Sequence, residues 1–419
     1  MHRLLFCLAL QCACLCAVPV SGQTVAIRAG NLIDPATGSV AKNQIILVKD
    51  KKIVDVGPSV TIPADAQVID LSNEWVMPGI MDAHTHVTYE VASLAVPGDA
   101  NFLEISKGMR VLQGLKISQT LLNAGVTTVR DVGNDANYSS IDLRNAINKG
   151  WFVGPTILTS GKIIGPYGGQ SEGIPPEAGQ TWLFEYIDAD GPLEVRKAVR
   201  ENIFYGADLI KLCADNSPYH YSEEELLAAV DEAHKAGRAV AVHVYGGEAA
   251  TLVIQAGVDS IEHGWFLTDD QLRMMKDKGI FLAGTDFPAA HFIASGFKGG
   301  AEKSAAALDR LHRAYNIGVK MAFSTDIVTA MPGESRADMT WDYIAIWRQA
   351  GVPPAAVLKA MTTNAAELLR IQKERGAISA GQFADIIAMP ASPLADTEAL
   401  RKVNFVMKNG AVVRHDAVK

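Results

Sequence analysis

Cysteine is scarce in this chain and is concentrated at one end. Five of the 419 residues are cysteines, and Cys7, Cys12, Cys14 and Cys16 all lie near the N-terminus. If that segment is removed, Cys213 is left alone and no internal disulfide can form. A disulfide scaffold is therefore excluded. Stability has to come from a hydrophobic core, which a chain with 48% hydrophobic residues can build.

Runs of lysine or arginine are also missing. The formal net charge is -8, and charged residues make up 20% of the chain. Nucleic-acid binding proteins present a basic face, so the sequence excludes that class. The balance of charge and hydrophobicity is that of a globular protein and not of a disordered one.

Long apolar stretches are confined to the first 22 residues. Arg3 precedes an apolar stretch over 4–18, and small residues follow at 20–22. This pattern is typical of a secretory signal, so we expect secretion or export to the periplasm. A membrane anchor is the alternative, but the stretch is short and Gln11 interrupts it. A lipid on Cys14 is a further alternative. We expect no membrane span in the mature form.

The two ends of the chain share one pattern of apolar and polar residues, and the middle of the chain has another. Residues 23–77 and 375–419 alternate apolar and polar residues between Gly, Pro and Asp, which predicts one small β-sandwich domain built from both termini. Residues 78–374 repeat strand and helix. The clearest helix runs from Ser222 to Ala236, where Ser222 and Glu225 form a capping box.

Eight strands are predicted in the middle domain. They cover 76–83, 126–132, 156–161, 208–213, 239–244, 259–263, 280–285 and 320–325. Eight strand–helix units predict an α/β fold of the (β/α)8 TIM-barrel type. An open doubly wound sheet has the same local pattern and stays an alternative on strand count alone.

Polar residues that bind metals stand at the ends of five of these strands. They are His84 and His86, Lys211, His243, His263 and Asp326. Side chains two apart on a strand share a face, so His84 and His86 can reach one ion. Catalytic groups that converge from many strand ends are typical of barrels, which favours the barrel over the open sheet.

Lys211 and Asp326 each have a second interpretation. A lysine can bridge two metals only as a carbamate, and that requires the neutral amine, about one molecule in 10³ at pH 7 for an ordinary lysine. An ion pair with Asp208 or Asp215 is the alternative. Asp326 can bind a metal and accept a proton, or it can be a helix cap or a turn residue.

The motifs around these residues resemble the amidohydrolase superfamily. They are MPGIMDAHTH at 77–86, GADLIK at 206–211, His243, IEHG at 261–264 and STD at 324–326, with GVTTVRD at 125–131, TNAA at 363–366 and GAISAGQFAD at 376–385. The chain is most similar to the bacterial Xaa-Pro dipeptidase (prolidase-like) branch, which also contains ochratoxin-type amidases.

The resemblance implies a ligand set and a cofactor. His84, His86 and Asp326 would hold one divalent metal, and His243 and His263 would hold a second. Carboxylated Lys211 would bridge the two ions, which are usually zinc in this superfamily. Asp326 would also be the catalytic residue that takes a proton from the attacking water.

Substrate-binding residues are expected in the loops after strands 3 and 4. Prolidase-like members usually have Thr-Gly-Gly-His after strand 3, where this chain has Tyr167-Gly-Gly-Gln170, which leaves the substrate in doubt. The candidates are Tyr167, Gln170, Tyr219, His220 and Tyr221. Cys213 is two residues beyond Lys211 and is expected to be a small buried residue. His234, His291, His312 and His415 are expected at the surface or in packing.

The sequence therefore predicts a binuclear amidohydrolase that cleaves a dipeptide or an N-acyl amino acid with a free carboxylate. A single-metal cyclic amidohydrolase or deaminase, similar to imidazolonepropionase, is the second hypothesis, but those enzymes lack the bridging lysine. A non-catalytic periplasmic binding protein on the same barrel is the third. Homo-oligomerisation is left open.

Overall fold

The computed structural model describes residues 24–91, 105–134, 136–171, 174–215 and 219–416. The predicted signal segment lies outside these residues, so it stays a prediction. Within the described ranges, no helix has both the length and the apolar character needed to cross a membrane.

Both ends of the chain contribute to one seven-stranded sheet. Its strands are β1 (Val25–Asp34), β2 (Ser39–Lys49), β3 (Lys52–Gly57), β4 (Gln67–Pro78), β14 (Ile386–Met389), β15 (Phe405–Lys408) and β16 (Ala411–His415), in the order β16-β15-β14-β4-β1-β2-β3. The β1–β4 pair is parallel and the other neighbours are antiparallel. The predicted small β-domain from both termini is confirmed.

This sheet curls back on itself. Lys52 in β3 pairs with Phe383, which lies just before β14 in the chain. The curled sheet encloses its own apolar core, which includes Ile27, Ile46 and Phe405, all fully buried. One folded sheet thus provides the two layers expected of a sandwich.

The middle of the chain alternates parallel strands and helices, as predicted. The strands are β5 (Ile80–Thr85), β6 (Val126–Asp131), β7 (Thr156–Thr159), β8 (Ile163–Gly165), β9 (Tyr186–Asp188), β10 (Leu209–Cys213), β11 (Ala239–Gly246), β12 (Ser260–Phe266) and β13 (Phe281–Ala283). The helices are α1 (Lys107–Asn123), α2 (Ser139–Asn148), α3 (Pro192–Tyr205), α4 (Glu223–Lys235), α5 (Gly247–Ala256), α6 (Asp269–Lys278), α7 (Ala289–Ala294), α8 (Gly300–Ile317), α9 (Arg336–Gln349), α10 (Pro354–Ala360) and α11 (Thr363–Leu368). Short 3-10 turns occupy Pro176–Ala178, Thr181–Phe184 and Thr397–Lys402.

These strands follow one another around a ring. One sheet contains β5-β6-β7, and the other runs β13-β12-β11-β10-β8-β9. The third predicted strand, 156–161, is observed as β7 alone, because the chain turns at Gly161, whose φ is 66°. The short strand β8 follows this turn and was not predicted. β7 pairs with β6 and β8 pairs with β10, so these two short strands connect the two sheets. The mixed α/β fold is confirmed, and this strand order is that of the expected barrel.

The eighth predicted strand, 320–325, is extended but forms little regular ladder. Its only bridge in the described part of the chain joins Met321 to Leu282 of β13. The amide of Phe323 donates to the Ala360 carbonyl at 3.1 Å, while the Phe323 carbonyl accepts from Ala83 of β5 at 2.8 Å. Because the segment exchanges partners along its length, it closes the ring between β13 and β5 without continuous pairing.

Helix α4 begins and ends as the sequence predicts. Ser222 and Glu225 form the reciprocal capping box, and Gly237 follows the helix with a φ of 70°. Glycine tolerates this left-handed conformation without a Cβ penalty.

A buried charge cluster connects the small domain to the barrel. Asp385 accepts hydrogen bonds from Arg375, from Lys408 at 2.7 Å and from the Asn409 amide at 2.8 Å. Lys408 also donates to Thr156 of β7 at 2.8 Å. Burial opposes ionisation of Asp385, but the charges of Lys408 and Arg375 outweigh it and hold the pKa of this carboxyl below its usual range.

We expect Asp385→Asn to lower the free energy of unfolding at pH 7 by about 2–4 kcal/mol, because it leaves two buried cations without their carboxylate. A lowered folded-state pKa stabilises the protein above the unfolded pKa, near 4, and that contribution is lost as the pH falls through the folded value. The difference in the free energy of unfolding between wild type and Asp385→Asn should therefore become smaller below pH 4. Denaturant unfolding at pH 7, 5, 4 and 3 measures it, with the exposed Asp55→Asn as control. A gap that is independent of pH would contradict the ionic role of Asp385.

Candidate metal centre

Residues from five strand ends line one cavity of about 270 Å³. The structure brings together all six predicted ligands, namely His84, His86, Lys211, His243, His263 and Asp326. His84 and His86 come from the end of β5, the next three from β10, β11 and β12, and Asp326 from the segment that closes the ring. The order of these residues in the chain is therefore the order of their strands around the ring.

The first two histidines are held through their Nδ1 atoms. His84 Nδ1 lies 2.6 Å from a carboxylate oxygen of Glu262, and His86 Nδ1 lies 2.8 Å from the Gly133 carbonyl oxygen. A carbonyl oxygen can only accept, so Nδ1 of His86 carries the proton and Nε2 keeps its lone pair. This is the arrangement that prepares a histidine to bind a metal through Nε2.

The free nitrogens and the Asp326 carboxylate converge on one point. His86 Nε2 is 3.0 Å and His84 Nε2 is 3.5 Å from Asp326 Oδ1. Within the described residues, His84 Nε2 is buried and has no hydrogen-bond partner. One ligand atom from each of the three residues lies within 4.8 Å of the others. A cation between these nitrogens and the carboxylate would satisfy all three, so the three residues have a donor set that fits a metal ion.

His243 and His263 form the second half of the centre. Their ring centroids are 4.3 Å apart, and the rings of His263 and His84 are 5.1 Å apart. His263 Nδ1 lies 2.8 Å from the Thr285 hydroxyl. His243 Nε2 lies 3.6 Å from Asp215 and 3.5 Å from the Gln170 amide.

Lys211 is buried beside these imidazoles. The carboxylates considered as its ion-pair partners have other contacts, because Asp208 pairs with Arg144 at 2.5 Å and Asp215 accepts from the Tyr245 amide at 2.6 Å. No described carboxylate lies within ion-pair distance of Lys211. Burial lowers the pKa of Lys211 to about 8, and the charge of Arg130 acts in the same direction. About one molecule in ten is then neutral at pH 7.

Burial and neighbouring positive charges keep most of the site uncharged. Burial lowers the pKa of His84, His243 and His263, and the charges of Lys211 and the other imidazoles add to the effect. His86 differs, because its hydrogen bond to Asp326 outweighs burial and raises its pKa. Neutral imidazole is the form that binds metals.

The sequence interpretation missed Glu262, which orients His84. Glu262 also accepts two hydrogen bonds from Arg130, at 2.8 and 2.9 Å, and one from the Ser260 hydroxyl at 2.5 Å. Arg130 and Glu262 are both buried. A glutamate directly before a ligand histidine, inside an otherwise apolar strand, was the available signal.

Asp82 fixes the closing segment against β5. It accepts from the amide and hydroxyl of Thr325, at 3.1 and 2.7 Å, and from the His84 amide at 3.2 Å. Burial raises the pKa of Asp82 to about 7. The contacts place Asp326 opposite the two histidines of β5.

Three residues of the centre have left-handed backbone. The φ angles are 68° at His263, 46° at Thr285 and 57° at Asp326. Non-glycine residues rarely adopt this region, and each instance costs on the order of 1 kcal/mol or more. The strained backbone turns the two ligand side chains towards the cavity.

The five substrate-binding candidates are placed differently. Gln170 lines the cavity, and its Oε1 accepts from Tyr186 at 2.8 Å. The hydroxyl of Tyr219 donates to the Tyr167 carbonyl at 3.0 Å, and that of Tyr221 donates to the Ala189 carbonyl at 3.0 Å. Tyr167, Tyr219, His220 and Tyr221 are not among the residues that line the cavity. Their role in binding stays a prediction.

Two further residues can now be assigned a place. Cys213 packs with Ile163, Trp182 and Tyr186, away from the cavity, which agrees with the expected buried role. His291 is buried and lines the cavity, with Nε2 at 3.1 Å from Asp342, and its assignment to ordinary packing stays a prediction. His291 lies on the short helix α7, for which strand periodicity gives no signal.

The match to known proteins decides the family. A model described as the Amidohydrolase family matches residues 75–413. The chain belongs to the amidohydrolase family. The resemblance inferred from the motifs is therefore confirmed, and this amidohydrolase is a hydrolase of that superfamily, whose members generally use divalent metals.

Individual relatives of this amidohydrolase have different activities. Ochratoxinase of Aspergillus niger is 30% identical over 93% of this chain and 86% of its own length. Imidazolonepropionase of Shewanella baltica is 26% identical over 88% of this chain and 93% of its own. The crystal structure of a Xaa-Pro dipeptidase with methionine bound in the active site is 30% identical, covers 94% of this chain and 100% of its own, and has a TM-score of 0.82.

We expect Glu262→Gln to weaken metal binding by about tenfold to a hundredfold, because the amide cannot hold the His84 Nδ1–H as a carboxylate does. Competition with a chromogenic chelator measures the dissociation constant. The exposed Glu248→Gln is the matched control. Unchanged metal affinity in a folded Glu262→Gln protein would show that Glu262 only neutralises Arg130.

Proposed function

We propose that this protein is a binuclear zinc amidohydrolase that cleaves the amide bond of a dipeptide or an N-acyl amino acid with a free carboxylate. The observation that carries the proposal is that Lys211 is buried, lines the same cavity as the four histidines and has no described carboxylate within ion-pair distance. A lone ammonium in such a place would repel both metals.

The six candidate ligands would serve two ions. His84, His86 and Asp326 would hold one ion, and His243 and His263 would hold the other. Carboxylation of Lys211 joins the neutral Nζ to the carbon of carbon dioxide with loss of one proton. It would replace the ammonium with an anion, whose oxygens could bind metal ions where the ammonium would repel them.

The bound metals would activate water near neutral pH and polarise the scissile carbonyl. Asp326 stands beside both histidines of the first group, so its carboxylate can accept the proton of the attacking water and deliver it to the leaving nitrogen. Gln170, 3.5 Å from His243, can donate a hydrogen bond to the substrate but cannot carry a charge.

The position of Lys211 also separates this proposal from the single-metal alternative. A single-metal cyclic amidohydrolase or deaminase needs no bridging group. A binding protein needs neither a bridging group nor a metal. Both alternatives leave a buried lysine with a lowered pKa unexplained.

We expect Lys211→Ala to bind one zinc ion where wild type, purified with zinc and bicarbonate, binds two. Activity on a panel of dipeptides and N-acyl amino acids should fall by at least a hundredfold, because the bridge is missing. Elemental analysis and initial rates measure these effects. A short carboxylate such as acetate should partly restore both in Lys211→Ala. The exposed Lys116→Ala is the matched control.

Two results would contradict the proposal. Full activity at one zinc ion per wild-type chain would favour the single-metal enzyme. Full activity of Lys211→Ala would return the lysine to a structural role.

We propose in addition that the protein is exported after removal of residues 1–22. The charged start, the short apolar stretch and the small residues before position 23 support this. The intact mass of exported protein should correspond to a chain that begins at or near Gln23. A retained segment, or a lipid on Cys14, would place the protein at a membrane.

A further inference from the structure

Aromatic rings form one wall of the cavity, and none of them was predicted as a site residue. The rings that line it on this side are Tyr245, Trp265, Phe287, Phe292 and Phe297. Tyr245 stacks on Trp265 with centroids 4.6 Å apart, and Trp265 meets the edge of Phe292 at 5.3 Å. Phe297 lies 5.4 Å from Phe292. We call these five residues the aromatic wall.

The aromatic wall begins at the metal ligands. The ring of Tyr245 is 4.6 Å from that of His243, and the ring of Trp265 is 5.4 Å from that of His263. Each ring is two residues beyond its histidine in the chain, and both line the cavity. A substrate whose amide reaches these two histidines can therefore place its neighbouring group against this wall.

Lys303 stands at the far side of the aromatic wall. It lies on α8, is half-buried and lines the same cavity. Its ammonium is 4.2 Å from the centroid of Phe297 and 6.0 Å from that of Tyr245. Tyr245 is thus close both to Lys303 and to His243. Burial lowers the pKa of Lys303, and the charge of Lys298 adds to the effect.

Lys303 has no carboxylate within ion-pair distance in the part of the chain that the structure describes. Cation–π contacts stabilise an ammonium only weakly, whereas a charge-assisted hydrogen bond to an anion stabilises a partly desolvated ammonium more strongly. The loop tyrosines predicted to hold a carboxylate already donate to backbone carbonyls. Lys303 is the cation of this cavity that can meet an anion away from the metal ligands.

We propose that the aromatic wall and Lys303 form the subsite for an aromatic amino acid at the carboxyl side of the scissile amide. The wall contacts the aromatic side chain, and Lys303 pairs with the free carboxylate. The inference rests on the proposed function and narrows the substrate class to N-acyl aromatic amino acids and dipeptides with an aromatic C-terminal residue.

The kinetic test compares N-acetyl-L-phenylalanine with its C-terminal amide. In zinc-loaded wild type, kcat/KM should favour the acid, and Lys303→Met should remove that preference by lowering kcat/KM for the acid tenfold to a hundredfold. The amide should change less than twofold, and Lys303→Arg should restore part of the preference. Lys298→Met is the matched control, because that lysine is exposed and lies outside the cavity. Equal losses for acid and amide would mean that Lys303 is structural.

The variant Phe297→Leu tests whether the aromatic wall contacts the aromatic side chain of the substrate. This half-buried residue can change without opening the core, and the variant should lower the preference for N-acetyl-L-phenylalanine over N-acetyl-L-alanine by about threefold to tenfold. An unchanged preference would remove the wall from the proposal.

A binding measurement keeps the inference separate from the proposed function. 3-Phenylpropionate has the ring and the carboxylate but no amide, so its dissociation constant from zinc-loaded protein can be measured by calorimetry whether or not the enzyme turns over N-acyl amino acids. Lys303→Met should weaken it at least tenfold and Lys298→Met should not. Equal affinity in wild type and Lys303→Met, as expected if the metals alone hold the carboxylate, would overturn the inference. So would the absence of binding to wild type.

Discussion

Glu262 shares its carboxylate between Arg130 of β6 and His84 of β5, and this buried interaction spans the ring from one sheet to the other. Each of the three groups would be costly alone, because a buried charge without a partner destabilises a fold by several kcal/mol. Together they satisfy one another. The same contacts that join β12 to the first two strands also set the proton on His84 Nδ1. The contacts of Glu262 therefore both pack the barrel and orient a candidate metal ligand. A substitution that loosens this packing should also disturb the orientation of His84.

The electrostatics of the cavity follow from that constraint. Burial and neighbouring positive charges lower the pKa of His84, His243, His263 and Lys211, whereas the hydrogen bond to Asp326 raises the pKa of His86. Metal binding would compete with protons at these groups, and the proposed carboxylation of Lys211 would require its neutral amine.

The sequence could predict that the six candidate ligands lie together, because each stands near the end of a predicted apolar strand and parallel strands bring their ends together. The same rule would have found Tyr245 and Trp265, which stand two residues beyond His243 and His263. Phe287, Phe292 and Lys303 were out of reach, since they lie on an irregular segment and on α7 and α8, whose position depends on tertiary packing. The break between β7 and β8 at Gly161 and the exchange of partners along 320–325 also depend on tertiary packing. Local alternation predicts an extended chain, but its partners are set by the closure of the ring.

The order of strands in the curled sheet has a consequence for biosynthesis. β4 lies between β1, which is made first, and β14, which begins at Ile386. Only Gly79 separates β4 from β5, the strand that bears His84. During synthesis β4 therefore keeps one edge open, beside an incomplete core, until almost the whole chain has emerged. An open, apolar strand edge invites pairing with other chains, so a ribosome that stalls before β14 would release a product prone to aggregation. The seven-stranded sheet can therefore be completed only after residues Ile386–His415 have been synthesised.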